Sequence, residues 1–308
     1  MTDNKQRPKV AVAIATYNHD CFIIECLNSV LKQDYRNIDI YISDDFSQDE
    51  TRNVLLNFLG SYSGKRNIFS FIETKNIGIA GNFNKLIQRV LMDSDIDFII
   101  PFAGDDLMRH NKVSKQVEHL LNNPNSVFCY SNMEWFSNNS NKKILNHFNL
   151  LLKPSCKIDR IISEALVPTP TLCFRRKVLE KLRYNEKFPY VNDYLLVVEA
   201  AMLGEVIYIN EPLVKYRKHE SSTMETVLFL NERRDVSEFI YLKYGFKEAT
   251  IRFARTADYD FLVKSLKEKK YKDAFLKFLK LFPTFFSSRK WVLRLIKIVM
   301  IVSNMETY

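Results

Sequence analysis

The chain has 308 residues, 46% of them hydrophobic and 26% charged, which is enough to bury a full core and excludes a disordered polyelectrolyte. Its five cysteines (Cys21, Cys26, Cys129, Cys156, Cys173) are scattered with no Cys-x-x-Cys pair, which argues against a disulfide framework or a zinc site and for a reducing compartment. The net charge of +9 is lopsided: residues 226–308 hold 17 Lys or Arg against 9 Asp or Glu, leaving +8 there and +1 in the first 225. That split sets off a basic C-terminal region that would meet an anionic partner, or carry solvated lysines on helix faces.

The polar start MTDNKQRPKV has no apolar stretch resembling a signal peptide and runs straight into Lys9–Thr16, an almost wholly apolar run expected to form a buried parallel strand ending in Tyr17-Asn18-His19. Phe22, Ile23, Cys26, Leu27, Val30 and Leu31 recur at helical spacing over residues 20–33. Ile38–Ser43 predicts a second strand ending in Asp44-Asp45, and Ser47-Gln48-Asp49-Glu50 fits a capping box before the stripe of Val54, Leu55 and Phe58. Ile68–Glu73 predicts a third strand. It leads to the glycine-bearing turn Asn76-Ile77-Gly78-Ile79-Ala80-Gly81-Asn82 and a helix through Leu86, Ile87, Val90 and Leu91. Ile96–Phe102 is the fourth strand; after Ala103 and Gly104 it delivers Asp105 and Asp106. This βαβαβαβ run predicts a parallel sheet flanked by helices, with the loops after each strand on one edge. Two carboxylates at a strand's carboxyl end suit a hard divalent cation carrying a phosphorylated ligand, and equally a solvated turn.

Further on, Val113, Val117, Leu120 and Leu121 predict a helix, Val127–Tyr130 a short strand, and Asn138–Asn149 a polar surface loop able to act as a lid. A short helix near Ile161 and Ile162 precedes the doubly proline-stiffened Val167–Thr171, then a strand to Arg175 and a helix opened by Asn192-Asp193. Val206–Ile209 and Leu213–Tyr216 predict two more strands. From Val227 the pattern is helical, with helices expected over 227–245, 247–257 and 259–281, a break at Pro283, and a last segment Ser287–Ser303. That segment is too short and too charged to span a bilayer. It sets Lys290, Arg294 and Lys297 on one face, as a helix lying on an anionic membrane would, or one packed on the body or a second subunit.

The succession AIATYN (13–18), ISDDFSQDET (42–51), NIGIAGNFN (76–84), PFAGDD (101–106), VNDY (191–194) and VKYRKH (214–219) resembles a family 2 glycosyltransferase of the GT-A fold, of the bacterial surface-polysaccharide type. The resemblance implies an α/β architecture with a Rossmann-like, mostly parallel sheet over residues 1–225 as the catalytic domain, and leaves 226–308 as a basic helical extension. It implies that Thr16, Tyr17, Asn18, Asp44 and Asp45 hold the nucleotide, with Asp45 accepting from the base. Asn76, Gly78 and Asn82 would lie near the nucleotide and donor sugar. The family often carries an Arg where this chain has Gly81, and an Asp where it has Ala103.

Asp105 is then the expected ligand of Mg²⁺ or Mn²⁺, with Asp106 beside it at the donor and His219 adding a metal or diphosphate contact. Asp193 is the expected general base of an inverting transfer; its other reading is a helix N-cap. Thr169 and Thr171 would line the acceptor side. The implied activity is a metal-dependent, hexosyltransferase-type transfer from a nucleotide-sugar donor, UDP-linked, to a lipid-linked saccharide acceptor in O-antigen or capsule assembly. It would be carried out by a cytoplasmic enzyme peripheral to the inner face of the plasma membrane, its C-terminal helices on the anionic surface and no nucleic acid involved. The alternative is a non-catalytic nucleotide-sugar or glycan binding module. A nucleotidyltransferase lacks support because Thr16-Tyr17-Asn18-His19 has no glycine, and an NAD enzyme because no Gly-x-Gly-x-x-Gly follows the first strand.

Overall fold

A computed structural model describes residues 7–137, 140–146, 155–165, 167–218, 227–285 and 289–305. Strands and helices alternate through β1 (Lys9–Thr16), α1 (Ile23–Leu31), β2 (Ile38–Asp44), α2 (Thr51–Ser61), β3 (Ile68–Ile72), α3 (Gly78–Leu91) and β4 (Ile96–Ala103). Then come β5 (Leu107–Met108), α4 (Lys112–Asn122), β6 (Ser126–Ser137), β7 (Ser140–Asn146), α5 (Ile158–Glu164), a 3-10 turn at Thr169–Thr171, β8 (Cys173–Arg175), α6 (Arg176–Leu179), α7 (Asn192–Ala201) and β9 (Glu205–Arg217).

One sheet runs in the order β3-β2-β1-β4-β8-β6-β9-β5, with β7 paired to β6. The β3-β2-β1-β4 half is parallel, as the alternation predicts. Beyond it the sheet is mixed: β8 lies antiparallel to both β4 and β6, while β6 and β9 are parallel. Val10 to Ile14 are all fully buried: Val10, Val12 and Ile14 share one core with Leu27, Ile40, Ile100, Val117 and Val214, and Ala11 and Ala13 are covered on the opposite face, which is why β1 is apolar at both odd and even positions.

Several expectations change. Ser47 does not cap α2, which starts at Thr51 with Glu50 in the cap position and no side-chain cap. Ser47 is used by tertiary contacts instead: its hydroxyl donates to Asp44 and accepts the Asn18 N–H, while the Asp49 carboxylate takes the Thr51 N–H at 2.9 Å. The stretch read as a polar loop carries β7 over Ser140–Asn146, paired antiparallel with β6; residues 138–139 and 147–154 lie outside the described residues. The two strands expected around 206–216 are one, β9, whose register against β6 jumps from Ile209 to Pro212. The bulge accommodates a proline that could not donate to the ladder.

The chain divides into two compact units, residues 1–158 with 166–221 and residues 159–165 with 222–308, so residues 159–165 belong with the C-terminal helices. The second unit holds α8 (Val227–Tyr244), α9 (Lys247–Lys267), α10 (Tyr271–Phe285) and α11 (Arg289–Met305). Gly245, at φ +76°, ends α8 as expected, but α9 runs unbroken through Asp258 to Lys267, and Lys269, just past its cap residue Glu268, takes the left-handed φ of +59°. Pro283 sits within the last turn of α10 rather than breaking it. Tyr259, Leu262, Leu281, Phe285 and Ile298 form this unit's core, with Trp291 and Leu295 packed on it. Arg294 is turned inward, its guanidinium 4.7 Å from the Tyr259 ring and 4.4 Å from the Trp291 ring. Arg294 therefore does not join Lys297, which is exposed, in the expected basic face; the Lys290 side chain lies outside the described residues, and α11 also exposes Val292, Ile296 and Val299.

Candidate active site

Strand register brings the chain's polar motifs to one level. Thr16 at the end of β1 pairs with Asp44 of β2, and Ala15 pairs with Ala103 of β4. The Asp45 N–H donates to the Thr16 carbonyl and the Gly104 N–H to the Ala15 carbonyl, each at 3.0 Å. A Cβ at Gly104 would lie 2.8 Å from Thr16 Oγ1 and 2.9 Å from Thr16 Cβ, so the small residue before the acid pair is required by the closeness of the β1 tip.

The two acids differ. Asp105 is partly buried with one oxygen 3.9 Å from His19 Nε2, and His19 Nδ1 lies 3.2 Å from Thr16 Oγ1. Asp106 is wholly buried: one oxygen accepts the Arg217 backbone N–H at 2.9 Å, and the other has no hydrogen-bond partner among the described residues. Burial and the neighbouring Asp105 charge push the Asp106 carboxyl far up, against the opposing pull of Arg217. Arg217 is itself buried. Its Nε donates to the Asp105 carbonyl at 2.8 Å, its Nη2 reaches Glu25 at 2.5 Å, and its guanidinium lies 4.7 Å from the Phe22 ring and 4.5 Å from the Phe136 ring. His19 and Arg217 were missed as site residues from sequence, although His19 directly follows the first motif and Arg217 stands inside the last.

At the end of β2, Asp45 is buried and accepts the Ile77 N–H at 2.8 Å; burial raises its pKa while the Ile77 and Gly78 N–H groups oppose the rise. Its carboxylate thus ties β2 to the turn where Asn76 accepts the Gly78 N–H at 3.1 Å and Gly78 takes φ +77°. Asn82 donates to the Ser43 carbonyl at 3.2 Å and keeps a buried Oδ1 with no hydrogen-bond partner among the described residues. Asn18, at φ +54°, accepts the Gln48 N–H at 2.8 Å, and Tyr17 is 40% exposed beside it. Thr16, Asp44, Asp45, Asn76, Gly78 and Asn82 are therefore one hydrogen-bonded neighbourhood at the sheet edge.

Asp193 sits one residue inside the start of α7, whose cap position is Val191, so it is not the N-cap. Its Oδ2 accepts from the Thr169 hydroxyl at 2.8 Å and its Oδ1 from the Tyr194 N–H at 2.7 Å. Burial raises its pKa above the usual carboxylate range, with the Thr169 bond opposing. Thr171 has a different use from the one expected: it is buried and donates its hydroxyl to the Pro168 carbonyl at 2.6 Å. Burial, then the charges of Asp106, Asp105 and Asp193, push the Tyr216 hydroxyl up, so the acid pair and Asp193 act on one side chain. His219 lies outside the described residues.

Behind Asp193, α4 anchors the 3-10 turn. Gln116 Nε2 donates to the Thr171 carbonyl at 2.6 Å, and the buried Lys112 ammonium donates to Gln116 Oε1 at 2.6 Å and the Leu172 carbonyl at 3.4 Å. Burial pulls Lys112 down to about 8 from its ordinary 10.5. Between those values the folded chain binds fewer protons here than the unfolded chain, so this residue makes stability rise with pH. Urea midpoints measured across that interval are expected to climb in the parent and to climb less in Lys112→Met; equal slopes would contradict the assignment.

No three His, Cys, Asp or Glu among the described residues are grouped so as to hold a metal ion. The donor set that exists, the Asp105 carboxylate beside the unpartnered oxygen of Asp106, fits a hard cation that takes the rest of its shell from a ligand's phosphate oxygens and water.

A parallel sheet edge with an acid pair after β4, a hydrogen-bonded polar turn before α3 and a half-buried carboxylate at the start of α7 is the arrangement of a glycosyltransferase of the GT-A fold. The family model "Glycosyl transferase family 2" matches residues 11–183, and the chain belongs to that family. A dTDP-rhamnosyl transferase, RfbG, of Shigella flexneri is 31% identical over 219 residues, covering 68% of this chain and 72% of the relative. An Escherichia coli enzyme, WfgD, described as a UDP-Glc:alpha-D-GlcNAc-diphosphoundecaprenol beta-1,3-glucosyltransferase, is 28% identical over 69% of this chain and 78% of its own. Among solved structures, Staphylococcus aureus TarS 1-349 in complex with UDP superposes with a TM-score of 0.61 over 80% of this chain and 71% of that one, at 17% identity. The last supports the fold alone.

Proposed function

We propose that the chain is an inverting glycosyltransferase that moves a sugar from a uridine diphosphate donor to a lipid-linked saccharide during surface polysaccharide assembly. The observation that carries it is the sheet edge itself, where the close-packed Gly104 delivers Asp105 and the half-satisfied Asp106, together with the Asp193 carboxylate held by the Thr169 hydroxyl at the start of α7. The acceptor hydroxyl oxygen attacks the anomeric carbon, the carbon–oxygen bond to the diphosphate breaks with its electron pair leaving on the diphosphate, and Asp193 takes the hydroxyl proton. Thr169 holds the Asp193 carboxylate in place through Oδ2. Thr16, Tyr17, Asp44 and Asp45 would border the base and ribose, and Asn76, Gly78 and Asn82 the donor's phosphate and sugar. A Mg²⁺ or Mn²⁺ held by Asp105, with Asp106 behind it and His219 as a further contact, would offset charge on the departing diphosphate.

The lipid-linked acceptor is supported by the diphosphoundecaprenol substrate in the WfgD description, and such an acceptor would be met at a membrane surface. No helix among the described residues is long and apolar enough to cross a membrane, so contact would be peripheral, through the basic C-terminal unit. A thermal-shift screen of nucleotide sugars with and without Mn²⁺ tests the reading. A ligand at 100 times its dissociation constant stabilises the fold by about 2.7 kcal/mol, so a bound donor gives a clear rise. No shift with any nucleotide sugar would refute it, and a shift without transfer to any lipid-linked acceptor would favour a binding module, for which Ala103 and Gly81 are the motivating departures.

A further inference from the structure

Within the C-terminal unit, Asp258 is buried in the middle of α9 and carries three cations. Arg234 of α8 pairs with its Oδ1, Lys277 Nζ lies 3.1 Å from Oδ1, and Lys280 Nζ lies 2.9 Å from Oδ2, both lysines coming from α10. The neighbouring acids do not balance this. Asp260 is engaged by Arg233 at 2.6 Å and Asp235 acts on Arg234, so among the described residues the ion pairs of Lys277 and Lys280 both fall on the single carboxylate of Asp258. Burial, with Arg234 and Lys280 alongside, pulls Lys277 down to about 8, and burial and Arg234 lower Lys280 too. The cluster is short of negative charge.

The same helix presents an apolar surface next to it. Tyr271, Phe275, Leu276 and Leu279 of α10 are each more than half exposed, and at 100° per residue they span one side of the helix, with Lys280 and then Lys277 following along its flank. Such a side is large for a water-facing helix. α11 adds exposed Val292, Ile296 and Val299. A free anion would need no apolar surface beside it, and a second copy of this chain would bring the same +8 of residues 226–308 against itself. A lamella whose surface is phosphate and whose interior is hydrocarbon matches both features.

We propose that Arg234, Lys277 and Lys280, organised on Asp258, form a binding site for the phosphate headgroup of an anionic phospholipid, seated where the apolar side of α10 enters the lipid surface. This deepens, and rests on, the peripheral-membrane reading. Co-sedimentation of the full chain with vesicles of phosphatidylcholine alone or doped with phosphatidylglycerol tests it. The parent chain is expected to bind the doped vesicles, less so at raised salt, and Lys277→Gln/Lys280→Gln to lose about fivefold in affinity per lysine. Lys32→Gln/Lys65→Gln, which removes the same charge from exposed positions of the other unit, is expected to bind like the parent, and Leu279→Ser to bind less. Thermal midpoints verify that each variant is folded. If both double variants lose affinity equally, or neither does while the parent binds, the site is wrong and the membrane reading stands. If the parent binds neither vesicle, both fall.

Discussion

Asp193→Asn is expected to lower turnover by about 10²- to 10⁴-fold, the usual worth of a positioned general base, while leaving the protein at least as stable as the parent at neutral pH. The two halves of this expectation have one cause. Burial raises the Asp193 pKa, so the folded chain holds a proton there at pH values where the unfolded chain has released it. Stability contributed by this residue therefore falls as pH rises through the interval between the ordinary carboxylate value and the raised one, and above it the ionised group is a standing cost. An amide avoids that cost. Its oxygen can still accept the Tyr194 N–H, and its nitrogen can face the Thr169 hydroxyl oxygen, so the hydrogen bonds that hold the start of α7 are kept. What is lost is a modest helix-dipole contribution, about 0.3–1 kcal/mol.

The same shift sets the pH profile. A base must be ionised to accept a proton, so turnover is expected to fall as pH drops through the raised Asp193 value, and the residual rate of Asp193→Asn to be flat there. Thermal melts and rate–pH profiles of the two proteins separate the roles. A variant that loses activity together with several kilocalories of stability would mean that Asp193 is structural.

How much of this was visible in the sequence follows from the range of the interactions. The βαβαβαβ half was legible because buried parallel strands are apolar throughout and their helices keep a 3.6-residue period. Once the strands are parallel, Thr16, Asp44, Asn76 and Asp105 must arrive on one edge. The acid pair was legible for the same reason.

Patterns shared with local alternatives failed. Ser47-x-x-Glu50 has the capping-box spacing, but Asn18, 29 residues away, and Asp44 claim the Ser47 hydroxyl. Lys290, Arg294 and Lys297 fall on one side of a helix, yet two aromatic rings draw Arg294 inward. Lys112, one lysine among many in the sequence, is wholly buried by its packing. Arg217 was the costliest omission, because its partners are 111, 112 and 192 residues away and no window of sequence contains them.

Arg217→Met should accordingly be the most destabilising single change at the site. Methionine fills much of the volume between Phe22 and Phe136 but removes the guanidinium that opposes the mutual repulsion of Asp106 and Asp105 and grips the Asp105 carbonyl. Breaking a buried, charge-linked network by removing one partner costs about 3–5 kcal/mol, a large share of the 5–15 kcal/mol that typically holds a protein folded. At roughly 2–4 °C per kcal/mol for a domain of this size, the thermal midpoint should drop by about 6–20 °C. Arg217→Lys keeps the charge but has no fork with which to reach both the Asp105 carbonyl and Glu25, and it stacks less well, so its loss should be intermediate.

The decisive comparison is the cycle with Asp106→Asn. If the cost is electrostatic, removing the Asp106 charge as well should recover much of the stability lost in Arg217→Met, and the double variant should be more stable than the sum of the singles predicts. Additive losses would mean that Arg217 acts through its packing and its bond to the Asp105 carbonyl. Either result bears on function, because Arg217 grips the backbone of Asp105 and the carboxylate of Asp106 at once, and the acid pair can face a donor in one geometry only while that grip holds.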